Sequence, residues 1–422
     1  MDVKIINGTL LLCENGVFTV KKDDLYIRDG KIHSIGNTDD DFSKAEVVDA
    51  AERLVMPGLI NMHTHAYMTS MRNYADDVDF GEWLFNRIMP VEDGLTKPQA
   101  YYSSLLGCME MISTGTTCFL DMHMFEGMSA KAASETGMRA YIGRGLVGDD
   151  LYKDGLSRHE EFNREIDEYS SDLVNFMFAP HAIYSCSDKL YEQVAAESAK
   201  RGILKQTHAS ESVQEVKDCI AKYGKTPIEV LYDTGFLDGG AVLAHCVQLH
   251  DNDFEILKKT GSTAVTNPAS NAKLSNGIAP VVRMLENGIN VAIGTDSTAS
   301  NNTLNMFREM GLLSMLHKAQ QRSSVVLSSQ QVLGMALRNS AKALGAEDRL
   351  GVIKEGACAD LVFINLNSVS LFPNNNIVSS LVYSANGSEV ESVMINGKFV
   401  MYKKEFLTID TERVMYEAGK II

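Results

Sequence analysis

Nowhere in the 422 residues does an apolar run reach the roughly 18 positions that a membrane-spanning helix needs, and Met1-Asp2-Val3-Lys4-Ile5-Ile6-Asn7-Gly8 lacks the apolar core of a signal peptide. No membrane partner is expected. Basic charge is short as well: 39 Lys and Arg against 55 Asp and Glu leave a net charge of −16, whose long-range field repels phosphate backbones and anionic lipid surfaces. Nucleic acid is therefore not an expected partner either. Cysteine is sparse and scattered. The seven (Cys13, Cys108, Cys118, Cys186, Cys219, Cys246 and Cys358) are odd in number and never spaced Cys-x-x-Cys, which argues against a disulfide framework and against a Cys-rich zinc site. A reducing, cytoplasmic setting fits that usage. Tandem repeats and low-complexity tracts are missing.

What remains is the composition of a globular enzyme, 45% hydrophobic and 22% charged, long enough for one large catalytic core and a smaller domain. Short apolar runs bounded by Gly, Pro and Asn predict eight strands, near 55–63, 116–122, 139–146, 175–181, 204–208, 240–245, 262–267 and 290–296. Segments with helical spacing lie between them, such as Gln99 to Met111, Asp188 to Lys200, Asp251 to Lys259 and Leu304 to Ala319. Eight βα units close into a TIM-type (β/α)8 barrel with its active site at the C-terminal ends of the strands. The termini read differently. Thr9–Leu12, Gly16–Val20, Asp24–Ile27 and Lys31–Ile35 look like short antiparallel strands separated by Asn-Gly and Asp-Gly turns, and Asp360–Ile364 and Val390–Val400 repeat the style. The expected organisation is a small β-sandwich built from residues 1–55 and 350–422 around a barrel at 56–349.

Chemistry-bearing residues collect at the expected strand ends. His63 and His65 close the run Leu54-Val55-Met56-Pro57-Gly58-Leu59-Ile60, and in an extended strand residues two apart face the same way, so both imidazoles can reach one ion. Leu204-Lys205-Gln206-Thr207 runs into His208, Ala241-Val242-Leu243-Ala244 into His245, and Asn290-Val291-Ala292-Ile293-Gly294-Thr295 into Asp296. Taken singly, His245 reads as a satisfied core histidine and Glu211 as a carboxylate at a helix N-terminus. Their shared company argues for a site.

Pro57-Gly58-Leu59-Ile60-Asn61-Met62-His63-Thr64-His65, Thr207-His208-Ala209-Ser210-Glu211 and Gly294-Thr295-Asp296 resemble the first-, fifth- and eighth-strand motifs of the metal-dependent amidohydrolase superfamily, and the likeness covers essentially the whole chain. Within it the chain is most similar to the deaminases of 5′-methylthioadenosine and S-adenosylhomocysteine. That likeness rests on Glu82-Trp83-Leu84-Phe85, Pro90-Val91-Glu92-Asp93, Arg144-Gly145-Leu146-Val147, Ala179-Pro180-His181, Ala244-His245-Cys246-Val247, Asn267-Pro268-Ala269-Ser270-Asn271-Ala272-Lys273-Leu274 and Ser300-Asn301-Asn302.

The resemblance implies one divalent metal ion on His63, His65, His208 and Asp296, with Zn²⁺ expected and Fe²⁺ the alternative, and a water completing the shell. Two-metal relatives usually bridge their ions with a carboxylated lysine ending the fourth strand, and Asn175–His181 contains no lysine, so a single metal is expected. By the same resemblance Glu211 is the general acid and base, Asp296 relays a second proton, and His245 steadies the adding oxygen. His181 would contact the substrate, Glu92 grip both ribose hydroxyls, Arg144 and Arg158 clamp an amino-acid carboxylate, and Trp83 stack on the adenine or sulfur side; a solvent-exposed helix arginine for Arg158 and a core role for Trp83 stand beside those readings. The small Ala209-Ser210 pair departs from the bulkier residues of the family and would widen the pocket. His123, at the end of the second strand, has no assigned role.

The expected activity is hydrolytic deamination of an adenosine thioether or adenosine, giving an inosine-type product and ammonia. The expected partner is a small nucleoside, and a homo-oligomer is left open. Alternatives are the same fold acting on guanine, a pterin or a triazine, and a catalytically dead scaffold, which the full ligand set disfavours.

Overall fold

The computed structural model describes the backbone of residues 2–153 and 156–422; the side chains of 126 and 156–158 lie outside the description. From the N-terminus come β1 (Val3–Glu14), β2 (Val17–Arg28), β3 (Lys31–Ile35), β4 (Glu46–Asp49) and β5 (Arg53–Pro57). Next are β6 (Leu59–Thr64), β7 (Thr116–His123), β8 (Arg139–Leu146), β9 (Val174–Pro180), β10 (Gln206–Ala209), β11 (Val242–His245), β12 (Thr263–Thr266) and β13 (Asn290–Ile293). The chain closes with β14 (Leu361–Asn365), β15 (Val390–Ile395), β16 (Lys398–Tyr402) and β17 (Glu405–Phe406).

The eight central strands match the eight expected apolar runs. They form two parallel sheets, β6-β7-β8-β9 and β10-β11-β12-β13, each strand beside its sequence neighbour and linked through helices. Nearly every residue in them is buried, which is why most read as continuous apolar runs rather than alternating ones; β10 is buried but polar. The sheets approach each other at both edges. On one side the Phe178 N–H donates to the Leu204 carbonyl at 2.9 Å; on the other the Asp296 N–H donates to the His63 carbonyl at 2.8 Å. Asn61 adds a reciprocal tie across the second edge, giving its amide hydrogen to Thr295 Oγ1 (2.7 Å) and accepting the Thr295 N–H (3.0 Å).

Strands from both termini do pair, in one nine-stranded sheet of order β17-β16-β15-β14-β5-β1-β2-β3 with β4 alongside β1. Asn15-Gly16, Asp29-Gly30 and Asn396-Gly397 have positive φ at both positions, as two-residue hairpins whose twist matches their strands require. Asn7-Gly8 is different: it is a bulge inside β1, where the pairing with β2 shifts between Ile5 and Gly8. The expected strands Gly16–Val20 and Asp24–Ile27 likewise belong to the single strand β2, because the charged Lys21-Lys22-Asp23 segment stays paired with Leu10, Thr9 and Gly8 instead of turning. A buried Arg139–Asp360 ion pair (2.7 and 3.2 Å) fastens β8 to this sheet. Among the described residues no helix is long and apolar enough to cross a membrane.

Candidate active site

The expected strand ends converge. His63 sits within β6 and His65 one residue beyond it, His208 within β10, His245 at the last position of β11 and Asp296 three residues beyond β13. The ligand atoms of His63, His65 and His208 lie within 4.8 Å of one another, and all three residues are buried. Asp296 turns Oδ1 toward the pair, 3.7 Å from His63 Nε2 and 3.5 Å from His65 Nε2. Gly294 lets this happen: a Cβ there would stand 2.7 Å from the His63 nitrogen and 2.6 Å from Asn267 Oδ1.

These residues fit a cation. His65 Nδ1 is bound to the Met122 carbonyl (2.9 Å) and His208 Nδ1 to the His181 carbonyl (2.8 Å), so each ring keeps its proton on Nδ1 and turns a bare Nε2 inward. The two Nε2 atoms then stand only 3.3 Å apart, two lone pairs that a shared cation reconciles. Both ring nitrogens of His63 are buried without a hydrogen-bond partner, and ligation through one of them removes that part of the cost. Burial, reinforced by neighbouring imidazoles, holds His63 and His208 well below the usual histidine range, and neutral imidazole is the ligating form. Burial alone would push Asp296 up; the imidazoles of His245, His63 and His65 with the Ser270 hydroxyl overcome it and hold the group at about 2. Asp296 Oδ2 accepts Ser270 Oγ (2.6 Å) and Ser300 Oγ (2.8 Å), and Oδ1 accepts the Ser297 N–H (2.7 Å).

Glu211 and His245 form the second part of the cluster, with Glu211 Oε1 3.8 Å from His245 Nδ1. Burial, with help from the charges of Asp296 and Glu215 and against that of His245, pushes the Glu211 carboxyl up to about 7. Such a carboxyl can carry a proton near neutrality. Asn276 donates to Glu211 Oε1 (2.9 Å), and Asn271 Oδ1 meets His245 Nδ1 (2.9 Å).

On the substrate side the outcome is mixed. His181, one residue beyond β9, packs edge-on against His208 with ring centres 4.9 Å apart, and its Nδ1 is held by Ser185 Oγ at 2.8 Å. Burial, then the charges of His65 and His245, pull His181 down to about 4. Glu92 bonds the Tyr67 hydroxyl, and Tyr67 stands near His65, ring centres 6.3 Å apart. Trp83 is a core residue of the segment over the strand ends: it is buried among Tyr67, Met68, Leu274 and Ala299, and its indole N–H donates to the Ala299 carbonyl at 3.1 Å. Arg144 is drawn to the helix Leu156–Tyr169, with Nη2 2.9 Å from Glu161 Oε2 and Nη1 3.6 Å from Glu165 Oε2. The side chain of Arg158 lies outside the described residues.

Sequence reasoning assigned no role to Ser270, Asn271, Asn276, Ser300 and Tyr67, which orient the groups above. Ser270, Asn271 and Ser300 stand inside segments that carried the family resemblance, and that placement was their signal.

Residues 54–400 match the Amidohydrolase family. The chain belongs to that family. It is 41% identical over 427 residues to a 5-methylthioadenosine/S-adenosylhomocysteine deaminase of Caldicellulosiruptor saccharolyticus, covering 100% of this chain and 98% of the relative. It is 39% identical over 422 residues to a 5′-deoxyadenosine deaminase of Methanosarcina mazei, covering 99% and 97%. Among solved structures, a zinc-bound adenosine deaminase from Xanthomonas campestris superposes with a TM-score of 0.93 at 29% identity, covering 100% of this chain and 97% of the other. Amidohydrolases are metal-dependent, in keeping with the imidazole cluster.

Proposed function

We propose that this amidohydrolase hydrolytically removes the amino group of adenine in a 5′-substituted adenosine, the 5′-methylthioadenosine and S-adenosylhomocysteine class, releasing ammonia and an inosine-type product. The observation that carries the reading is the buried Glu211 carboxyl beside His245, next to three inward-facing imidazoles and Asp296. Roughly 40% identity to deaminases along the full chain supports it.

His63, His65, His208 and Asp296 would hold the metal, with zinc the expected ion. Bound there, a divalent cation supplies a water acidic enough to attack at neutral pH. Glu211 delivers a proton to the ring nitrogen as oxygen adds to the neighbouring carbon. Asp296, its Oδ2 fixed by Ser270 and Ser300, passes the second proton toward the departing ammonia. His245, steadied by Asn271, donates a hydrogen bond to the added oxygen. His181 offers the ring nitrogen left free by Ser185 to the purine, and Glu92 accepts from the ribose hydroxyls. Arg144 stays with Glu161 and Glu165 and is given no substrate contact.

We read the body at 56–349 as one closed (β/α)8 barrel, supported by the hydrogen bonds at both sheet edges. Residues 1–55 and 350–422 are read as a composite β-sandwich, supported by the apolar cluster that joins Ile5, Leu25 and Ile27 to Leu361 and Phe363. The free cysteines support a cytoplasmic setting.

The test is to incubate zinc-loaded protein with 5′-methylthioadenosine and with S-adenosylhomocysteine and follow the ultraviolet change from adenine to hypoxanthine chromophore. Turnover is expected. No change from a protein with its metal bound would overturn the purine assignment and favour an aminated heterocycle without ribose.

A further inference from the structure

Between His208 and the helix Val213–Tyr223 the chain turns sharply, and Ser210 takes φ +52°, a left-handed conformation that a serine keeps only when its surroundings impose it. Glu215 imposes it. Its buried side chain reaches back past Ser212, the residue that caps the helix, so that Oε1 accepts the Ser210 N–H at 3.1 Å and Oε2 the Glu211 N–H at 2.6 Å. Ser212 Oγ accepts the Glu215 N–H at 3.1 Å and anchors the base of that side chain. A glutamate at this helix position ordinarily returns to the cap residue's own N–H. Here it grips the peptides on either side of Ser210, the second of which leads into Glu211, instead.

The turn is also fastened to the one that carries His245. The Ala209 carbonyl accepts the Cys246 N–H at 3.0 Å, and the Ser210 carbonyl accepts those of Val247 and Gln248 at 2.9 and 2.8 Å. Fixing the Ser210–Glu211 peptide therefore fixes the origin of the Glu211 side chain relative to His245 and Asn276, its two neighbours.

Resting on the reading of Glu211 as proton donor, we propose that Glu215 is a positioning residue, whose carboxylate holds the Ser210–Glu211 backbone so that the Glu211 carboxyl meets the substrate in register. Glu215 touches neither substrate nor metal; it acts through Glu211.

A second buried capping carboxylate provides the comparison. Asp253 accepts the His250 N–H at 2.7 Å and Thr226 Oγ1 at 2.6 Å, in a helix whose N-terminal turn carries no site residue. Glu215→Gln keeps shape but turns an amide donor onto an N–H, and Asp253→Asn removes a buried capping charge elsewhere, its amide turned to the Thr226 hydroxyl. Glu215→Gln is expected to lower kcat roughly 10–100-fold with little change in KM or bound zinc, because small misplacement of a reacting group is enough. Asp253→Asn is expected to lower the melting temperature with kcat intact. Unchanged kcat in Glu215→Gln, or an equal loss in Asp253→Asn, overturns the proposal. Should Glu215→Gln fail to fold, Glu215→Asp decides: it keeps the charge, is one methylene too short for both bonds, and must show the same kcat loss. Glu211→Gln separates the two claims. An active Glu211→Gln sinks the proton-donor reading, whereas an inactive one beside a fully active Glu215→Gln sinks the positioning role alone. The double variant should be no slower than Glu211→Gln, since the two act as one unit.

Discussion

The two parallel sheets build their shares of the site differently. In β6–β9 the strands run for six to eight residues, and the chain leaves them for the site without a left-handed non-glycine residue at His65, His123 or His181. In β10–β13 every strand is four residues long, and left-handed residues follow or end three of them: Ser210 (φ 52°), His245 (φ 75°) with Cys246 (φ 47°), and Asp296 (φ 63°). The first sheet offers side chains by the regular alternation of a strand. The second bends its backbone to aim Glu211, His245 and Asp296, and holds each bend with hydrogen bonds from Glu215, the 246–248 turn and the His63 carbonyl. Groups proposed to handle protons need the tighter aim, because their reacting atoms must sit within about half an ångström of the productive position.

The largest effect is expected where, on the proposed reading, both sheets would share one ion. His63→Ala should abolish turnover and reduce bound zinc to background by elemental analysis. Added zinc should raise the melting temperature of the wild type and not of the variant, since binding stabilises by about 2.7 kcal/mol at a concentration 100 times Kd. Zinc-dependent stabilisation of His63→Ala would contradict the assignment. On the substrate side, Glu92→Ala should raise KM for 5′-methylthioadenosine by about 10–100-fold, the worth of one or two hydrogen bonds to a charged group, with a smaller effect on kcat.

The pH profile sharpens the second sheet's role. As the proposed proton donor Glu211 would act only while protonated, so kcat/KM should fall as pH rises through about 7, and a bound cation would move that fall to lower pH. A rate that keeps climbing above pH 8 would exclude a proton donor here. The smallest kinetic effect is expected at Arg144. Removing it takes the guanidinium from the buried Glu165 carboxylate while Glu161 keeps Lys97, so Arg144→Ala should destabilise by roughly 1–3 kcal/mol in a denaturant titration. It should leave the relative kcat/KM of S-adenosylhomocysteine and 5′-methylthioadenosine nearly unchanged; a selective loss of the former would restore Arg144 as a carboxylate clamp.

The same contrast explains what the sequence made legible. Most of the central strands could be found because they are apolar on both faces, whereas β10, Gln-Thr-His-Ala, is buried but polar and was marked only by the apolar start of its run; His63 and His65 could be paired because period-two geometry is local. The end of the eighth strand was misjudged: expected to reach Asp296, it stops at Ile293, because the chain bends there to meet His63 and no glycine at 296 announces the left-handed turn. Asn7-Gly8 carried the dipeptide of a hairpin and forms a bulge, since the register of a long strand outweighs a local turn preference. Glu215 acquires meaning only from partners that folding brings near, Ser270 and Asn271 stood in a family-like segment but take their roles from Asp296 and His245, and Trp83, read either as a stacking platform or as core, packs among core residues with its indole on the Ala299 carbonyl.

The central claim is that a metal-holding cluster and a separate proton-carrying carboxyl act together, and Glu211→Gln tests it most directly when turnover and bound zinc are measured on the same preparation. One zinc per chain with turnover of 5′-methylthioadenosine reduced at least about 1000-fold is predicted, a loss in the range of general acid–base catalysis. Wild-type turnover in the zinc-loaded variant would contradict it.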